Sequence, residues 1–478
     1  MTLRNCPMKI LIVYYQVRRS DRNTIDEHLY AFARYSGEEC HYLNVFFGIP
    51  RYITRISFDL VVYHYTFTSL KWDGAPRFRA YLKKFGALKE IPGYKVAIPQ
   101  DEYVNSSIMC EFFSEFGVKT VFTCLDPKDY EKIYPQVHSG LDHYITVLTG
   151  YIDERSIEKV VGFMKPHTDR AIDVGYRARK LPFWLGRHSL IKWQLTERFL
   201  EAYRETGNSI DLSNDYKDVF VGKDWYRFLG DCRVVLGCEG GASLHDPDGS
   251  IRACVEEYTT SHPEASFEEV ERACFAGLDR NLDLYAISPR HFEACITKTC
   301  QALVEGHYAG IFKPGIHYIE IKKDWSNIEE VIQTIEDKAL CEKIAERAYS
   351  DIILSGEFTY RRFVRSILNH VQTVHNITNE RASNLARLFM ALLDARERWP
   401  FLFSPLYFLM PLIYESRAYT CSRDSWFSFL KRHNLEDEYH ELRHGHLGLT
   451  RGFFKSLIYF VKNTVLSSLT CRIRRKRH

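Results

Sequence analysis

This chain lacks the short motifs that identify several common classes of protein. Its thirteen cysteines are scattered singly with no CxxC pair, the closest pairs being Cys232/Cys238 and Cys295/Cys300, so we expect neither a zinc site nor a disulfide scaffold. Reduced, mostly buried thiols in a cytosolic protein are the better interpretation. No complete GxGxxG followed by an acid is present, which argues against a nicotinamide-dependent oxidoreductase with tandem Rossmann folds.

The sequence also has little excess of charge of one sign. Its formal net charge is +3 over 478 residues, with 45% hydrophobic and 26% charged residues. That composition is typical of a soluble globular protein, and the length predicts two or three domains. No nucleic-acid reading module is recognisable, so we expect no nucleic-acid partner. Polar residues follow the apolar run in residues 1–16 at once, which indicates a first strand rather than a signal peptide.

The first half of the chain alternates apolar runs with helical patterns. Such alternation predicts a parallel, doubly wound sheet. The predicted strands are residues 8–15, 41–47, 58–64, 94–99, 120–124 and 143–148.

A second alternation begins near residue 171 and predicts another Rossmann-like half. Its predicted elements are strands at 171–176, near Val219, at 232–237 and at 311–321, and helices at 190–206, 225–231, from Ser288, and at 327–350. A polar insert at 245–282 carries a helix start at Ser266. Ligands of such folds bind at the carboxyl ends of the strands, so we expect the site in a cleft between the halves.

Four segments of the second half resemble bacterial GT-B glycosyltransferases of the group 1-like, surface-polysaccharide type: residues 173–177, 225–229, 288–294 and 305–308. The resemblance implies an α/β GT-B fold in which two Rossmann-like domains face a central cleft. Residues 1–165 would be the acceptor domain, residues 166–375 the nucleotide-sugar donor domain, and residues 376–478 a helical, apolar and basic extension.

The donor site implied by the resemblance centres on Phe292 and Glu293, with Glu293 accepting hydrogen bonds from the ribose. A helix N-terminus nearby offers N–H groups to the diphosphate. Arg177, Arg179 and Arg290 are candidates for holding the phosphates, because a guanidinium binds two phosphate oxygens at once. The alternatives are an acid that only satisfies the helix dipole and arginines that are surface charges.

A second glutamate of the family motif is missing. Retaining members carry it eight residues before the ribose glutamate, and counting back from Glu293 reaches Tyr285. Sugar identity and stereochemical outcome therefore stay open. Glu239, in a Gly-rich turn after an apolar strand, could touch the donor sugar, or the segment could be only a tight turn.

Candidate catalytic residues lie at strand ends of the first half. His64 follows one strand and is either presented to the reacting sugar or a structural group. Asp101 and Glu102 follow another, where either could take the proton of an acceptor hydroxyl if the enzyme inverts; the alternative is a helix-capping acid.

No metal or cofactor is expected, since the nucleotide sugar is a substrate. The Asp246-Pro247-Asp248 segment has the spacing of a divalent-cation motif, but the following Gly249 and Ser250 indicate a turn.

The C-terminal segments are apolar and then basic. Residues 399–414 are too short and too interrupted by proline for a membrane span. Residues 453–469 precede a basic run at 472–477, which suits an anionic membrane surface or, equally, a helix packed on the second domain. We expect a cytoplasmic protein, peripheral on the inner face of the membrane under the first interpretation.

The sequence therefore predicts a hexosyl- or related glycosyltransferase. It would move a sugar from a nucleotide sugar to a glycan or lipid-linked acceptor in surface polysaccharide biosynthesis. The alternative is a non-catalytic sugar-nucleotide-binding or scaffolding subunit of a polysaccharide assembly machine.

Overall fold

The computed structural model describes residues 6–17, 22–204, 209–375 and 382–398. The chain divides into two compact units, Met1–Ala391 and Leu392–His478, and the architecture below is that of the first. The predictions for residues 399–414 and 453–478 fall outside the described residues. None of the helices in the described ranges combines the length and apolar character needed to cross a membrane.

The N-terminal lobe is built on a six-stranded parallel sheet of order β2-β1-β3-β4-β5-β6. Its central strands are continuous apolar runs because both faces are covered. In register, Val13 lies opposite Leu43 on one side and Tyr63 on the other. The strands are β1 (Lys9–Tyr14), β2 (Glu39–Asn44), β3 (Leu60–Tyr63), β4 (Tyr94–Ala97), β5 (Thr120–Thr123) and β6 (His143–Thr146).

Short helices connect these strands and cover the sheet. They are α1 (Asn23–Leu29), α2 (Ala31–Tyr35), α3 (Tyr65–Thr68), α4 (Ala75–Lys84), α5 (Ser106–Phe116), α6 (Tyr130–Ile133), α7 (Gln136–Ser139) and α8 (Glu154–Val160).

The C-terminal lobe has a five-stranded parallel sheet of order β13-β12-β9-β7-β8 and a separate antiparallel pair, β10-β11. The strands are β7 (Ile172–Arg177), β8 (Ile210–Ser213), β9 (Cys232–Gly237), β10 (Gly240–Ala242), β11 (Leu284–Ala286), β12 (Cys300–Val304) and β13 (Ile319–Ile321). The helices are α9 (His188–Ala202), α10 (Lys223–Asp231), α11 (Ser250–Ser261), α12 (Phe267–Cys274), α13 (Pro289–Ile296), α14 (Ile328–Glu336) and α15 (Lys338–Ala348).

The chain then returns to the N-terminal lobe. Helix α16 (Tyr360–Val374) buries Phe363, Ile367 and Val371 in the same apolar core as Ile10 and Val62 of the first sheet. A further helix, α17 (Asn384–Arg398), follows. The two parallel α/β lobes, their facing cleft and the returning helix confirm the predicted GT-B fold class.

A second connection joins the lobes on the side of the α11–α12 insert. Backbone N–H groups bond across it from Asn105 to the Asp246 carbonyl and from Asp246 to the Tyr103 carbonyl, both at 2.8 Å. Arg252 of α11 donates to the Trp72 carbonyl at 3.0 Å and stacks on the Trp72 ring. We call residues 72, 103–107 and 245–252 the interlobe clasp.

The structure departs from two expectations: nine described cysteines are free, as expected, but two others are paired, and one strand lies elsewhere. Cys254 and Cys274 form a disulfide between the neighbouring helices α11 and α12, because the helical hairpin brings together two residues that are distant in the sequence. The short strand expected near Val219 lies instead at Ile210–Ser213. The domain boundaries of 1–165, 166–375 and 376–478 stay predictions.

Candidate functional site

A cavity of about 930 Å³ lies between the two lobes. It opens where the strands of both sheets end, the position expected for a ligand of an open α/β fold. From the N-terminal lobe come the loops after β4, β5 and β6, and from the C-terminal lobe the segments after β9 and β12. The lining includes residues 100–103, 124–128, 146–149, 239–241, 283–289, 305–307, 309, 320 and 323.

A second cavity, of about 440 Å³, adjoins the first, since Gly240 and Ser288 line both. Among the described residues that line it, every charged side chain is a cation, and none is an acid. The cations are Arg22, Arg177, Arg179, Lys180, Lys192 and Arg290. We call this the cationic pocket; its charge fits an anionic ligand.

Among the six cations of this pocket, Lys192 makes the fewest polar or ring contacts with the described side chains. It lies on α9, and its ammonium makes no hydrogen bond or ion pair with the described part of the chain. Burial lowers the pKa of Lys192, and the neighbouring Arg290 and Arg179 lower it further, while Cys238 and Asp101 oppose that decrease. An anion would relieve that unfavourable environment, because it pairs the desolvated ammonium.

Arg290 lies at the mouth of helix α13 and is exposed. Its guanidinium donates to the Arg177 carbonyl at 2.6 Å and stacks 5.0 Å from the Trp225 ring. Ser288 is the N-cap, accepting from the Arg290 N–H with its hydroxyl. The structure thus brings Arg290, Arg179 and the helix start together at the cationic pocket, and their contact with a phosphate stays a prediction.

Arg177 lines the same pocket but has a different role from the one predicted. Its five N–H groups donate to the Asp211 carboxylate at 2.7 Å from each oxygen and to the carbonyls of Tyr176, Asp211 and Asp218. With every donor used, Arg177 has none to offer a phosphate. Its hydrogen bonds instead link β7 to β8 and to the turn that follows β8.

The predicted ribose contact does not fit the position of Glu293. This carboxylate is 9% exposed, accepts from the Trp225 indole N–H at 2.7 Å and lines neither cavity. Burial raises its pKa, while the Trp225 hydrogen bond and Arg290 oppose that rise. Phe292 is also buried, in the core with Phe312 and Phe358. Both residues belong to the inner face of α13.

Glu239 does reach the cleft, at the end of β9. Its carboxylate accepts from the backbone N–H groups of His307 at 3.1 Å and Tyr308 at 2.7 Å. Burial raises its pKa, and these two hydrogen bonds oppose the rise. A Cβ on Gly306 would lie 2.5 Å from a Glu239 oxygen, so the glycine allows this close approach. Glu239 therefore holds the turn after β12 against the cleft.

His64 is buried behind the cleft wall rather than exposed in it. Its Nε2 lies 2.9 Å from His28 Nδ1, and its Nδ1 accepts from the Thr66 N–H as the N-cap of α3. Burial and the nearby His28 hold the pKa of His64 well below its usual value. The structure favours the structural alternative for this residue, because neither cavity contacts it.

Asp101 and Glu102 both line the large cavity, as expected for candidate bases. Asp101 is exposed, and one of its oxygens accepts from the Tyr103 hydroxyl at 3.1 Å. Glu102 is buried, with one oxygen accepting from the Cys124 N–H at 2.9 Å. Burial raises the pKa of Glu102 to about 7, against the lowering effect of the Thr123 hydroxyl.

The Asp246-Pro247-Asp248 segment is the turn that precedes α11, which begins at Ser250. The Asp246 carboxylate accepts from the N–H groups of Gly249, Ile251 and Arg252, and Asp248 accepts from Ser250. Within the described ranges, no group of His, Cys, Asp or Glu side chains is arranged to hold a metal ion. That the site needs no metal or cofactor stays a prediction.

Lys192 was not predicted from the sequence as a site residue. Tyr285 was noted only because it lies eight residues before Glu293. Lys192 interrupts the apolar residues Ile191 and Trp193 on α9, and a lysine among apolar neighbours was the available signal. Tyr285 lines the cleft from β11 and stacks on His188 with ring centroids 4.2 Å apart.

No protein-family profile and no curated protein matches the sequence of this chain. Among solved structures, the chain is similar to an alpha-glucosyltransferase (AGT) in complex with UDP, at 10% identity and a TM-score of 0.47 over 76% of this chain and 100% of that one. It is also similar to Anabaena Alr3699/HepE in complex with UDP, at 10% identity and a TM-score of 0.41 over 77% and 100% of the two chains. TarM follows at 9% identity and a TM-score of 0.38, over 65% of this chain and 54% of that one. Since all three TM-scores are below 0.5, the fold assignment rests on the strand order and cleft of this chain.

Proposed function

We propose that this protein is a glycosyltransferase that uses a nucleotide-sugar donor. The observation that supports this most is the cationic pocket, which has five cations besides the Asp211-paired Arg177, no acid among its described lining, and a position beside the large interlobe cavity. A diphosphate in the pocket would place the attached sugar toward the cavity, where the acceptor would enter. The two volumes are in the range of small-molecule sites, roughly 300–1,000 Å³.

In this proposal, Lys192, Arg179 and Arg290 hold the diphosphate, and the N-terminus of α13 adds its N–H groups. As the bond between the anomeric carbon and the diphosphate oxygen breaks, these cations stabilise the negative charge on the departing nucleotide. Lys192 contributes most, because it is the least solvated of the three.

Asp101 is the proposed base for an inverting transfer. Its carboxylate takes the proton of the acceptor hydroxyl while that oxygen forms the new bond to the anomeric carbon. Closure of the lobes on the donor would exclude water around the reacting groups and so limit hydrolysis of the donor.

The finer proposal is a hexosyl transfer to a glycan or lipid-linked acceptor in surface polysaccharide biosynthesis, by a cytoplasmic protein. The segment at 453–478 would then contact the inner face of the membrane. The apolar and basic composition of that segment supports this proposal.

Replacing Lys192 tests the donor site. We expect Lys192→Met to weaken binding of nucleotide sugars about 10- to 100-fold, the equivalent of losing one charged hydrogen bond of about 1.5–3 kcal/mol. Thermal shift with a panel of nucleotides and nucleotide sugars measures it, because a ligand at 100 times its Kd stabilises by about 2.7 kcal/mol.

Lys343→Met is the matched control, since Lys343 is an exposed lysine on α15 that lines neither cavity. It should bind every ligand as the unmodified protein does. Equal loss in both variants, or wild-type affinity in Lys192→Met, would remove the cationic pocket from the donor site.

A second candidate is a non-catalytic subunit that binds sugar nucleotides. It is favoured by Tyr285, which lies in the cleft where retaining family members carry an acid, and by Glu239, whose two oxygens are bound to backbone N–H groups. Donor transfer or hydrolysis by the purified protein supports the enzyme, and tight binding without turnover supports this candidate.

A further inference from the structure

Lys71 is a fully buried lysine, with 0% of its surface exposed, beneath the wall of the large cavity. It lies in the 3₁₀ turn Ser69–Asp73. Its ammonium donates to two consecutive backbone carbonyls of the loop after β4, at 3.0 Å to Gln100 and 2.6 Å to Asp101. A lysine sealed from water is costly unless its N–H groups are bound, so these contacts explain why it is tolerated there.

The loop that Lys71 holds has a strained backbone at the cavity. Asp101 has a φ of +54°, and Asn105 has a φ of +56°. A left-handed residue other than glycine costs about 1–3 kcal/mol and persists when its surroundings enforce it. The Asn105 side-chain amide donates to the Lys71 carbonyl at 3.0 Å, so Lys71 contacts both left-handed positions.

The charges around Lys71 favour its ammonium form. Burial lowers the pKa of Lys71 to about 8, while Asp101 and Glu102 oppose that decrease. At neutral pH the side chain therefore keeps its charge and its donors. It has the right charge to hold a loop that carries two acids.

We propose that Lys71 is a positioning residue for Asp101, fixing the left-handed turn that presents the Asp101 carboxylate to the cavity. The inference rests on the proposed function, in which Asp101 is the base. Tyr103 binds one carboxylate oxygen of Asp101, and the other has no hydrogen-bond partner among the described residues. That second oxygen is available for an acceptor hydroxyl only while the turn keeps its conformation.

A double-mutant cycle of Lys71→Met and Asp101→Asn tests this. Methionine keeps the length of the side chain and removes its donors. We expect Lys71→Met to lower kcat about 100-fold, the cost of a small misplacement of a reacting group, with the donor KM within about threefold of wild type. In the Asp101→Asn background the same change should lower kcat no further, because residues that act as one unit are not additive.

Lys71→Gln is the second variant, since its amide NH₂ keeps N–H donors near the two carbonyls and protects the fold; its kcat should lie between wild type and Lys71→Met. Thermal unfolding midpoints distinguish a Lys71 variant that has lost its fold from one in which only Asp101 is misplaced. Additive losses of kcat, or a wild-type kcat in both folded Lys71 variants, would overturn the positioning role while leaving the proposed function intact. A wild-type protein that binds no nucleotide sugar and transfers none would overturn the proposed function, and the positioning role with it.

Discussion

A buried acid and a tryptophan share one hydrogen bond at the inner face of α13. The Glu293 carboxylate and the Trp225 indole join α13 to α10 at 2.7 Å, and neither oxygen is directed to a cavity that could take a ribose. Glu293, which the sequence motif predicts to contact a ligand, instead joins two helices. That difference has a measurable consequence.

We expect Glu293→Ala to lower the free energy of unfolding by about 1–3 kcal/mol, because the partly buried indole N–H loses its acceptor. Nucleotide affinity should stay unchanged. Glu293→Gln, which keeps an acceptor oxygen, should cost less, and urea unfolding with a parallel nucleotide titration measures both. Weakened nucleotide binding at wild-type stability would restore the ribose role predicted from the sequence.

A second buried acid makes stability depend on pH. Burial raises the pKa of Glu27 from 4.5 to about 7; the Ser156 hydroxyl opposes that rise, and the nearby Asp153 and Glu293 increase it. The folded state therefore binds a proton that the unfolded state releases between these two values. The resulting stabilisation is fully present below pH 4.5 and is lost as the pH rises through about 7.

We expect Glu27→Gln to remove this dependence, because an amide does not titrate. The difference in unfolding free energy between wild type and Glu27→Gln should shift by about 3 kcal/mol between pH 4.5 and 8, to the disadvantage of wild type at the higher pH. Urea unfolding at several pH values measures it. Comparing the two proteins cancels the contribution of Glu102, which titrates in the same range. Parallel pH profiles would show that the pKa of Glu27 is the same in the folded and unfolded states.

At the scale of elements, continuous apolar runs were sufficient to predict the first sheet. All six strands expected in the first half are present, and residues 232–237 form a strand with the predicted bounds. Buried parallel strands produce such runs because both of their faces are covered. Where a strand is short and half exposed, as in β8 (Ile210–Ser213), the signal is weak, and the expected position near Val219 was wrong.

Breaks inside apolar patterns were harder to predict than the patterns. The helix expected at 327–350 is two helices, because the Asp337 side chain accepts from the Leu340 N–H and caps α15. The strand expected at 311–321 is only Ile319–Ile321, since the segment before it forms a turn in which the Gly315 N–H bonds the Tyr318 carbonyl. The hydrophobic pattern of the sequence continues across both breaks, so it could not locate them.

At the scale of the molecule, the sequence predicts a cleft between two lobes, but it predicts only some of the side chains that line the two cavities there. Arg179, Arg290 and Asp101 reach the two cavities because strand and helix ends converge there. Arg177 is bound instead to Asp211, and the sequence could not show this, since the pairing depends on the register of β7 with β8. Lys192 enters the pocket from a helix whose orientation only the folded lobe defines.

The lobes are connected where the chain passes from one to the other, and the interlobe clasp is an additional, non-covalent contact between them. Arg252 combines three interactions there: the Trp72 carbonyl at 3.0 Å, the Trp72 ring at 5.7 Å and the Trp184 ring at 5.4 Å. These are partly buried, and a desolvated cation–π contact contributes up to about 2 kcal/mol. The clasp includes Tyr103, and its 103–107 segment begins two residues after Asp101, so its opening would widen the cleft on the side of the proposed base.

We expect Arg252→Ala to loosen the clasp without unfolding either lobe. The backbone amides of Asn105 and Asp246, which bond across the lobes, should exchange about 5- to 30-fold faster, corresponding to a loss of about 1–2 kcal/mol in local opening. Hydrogen exchange measured by mass spectrometry resolves these segments. Arg198→Ala is the control, since Arg198 is an exposed arginine on α9 paired only at 3.8 Å with Glu201. Unchanged exchange at both amides in Arg252→Ala would mean that the backbone bridge alone holds the clasp, because its N–H donors, those of Asn105, Ser107 and Asp246, remain in place.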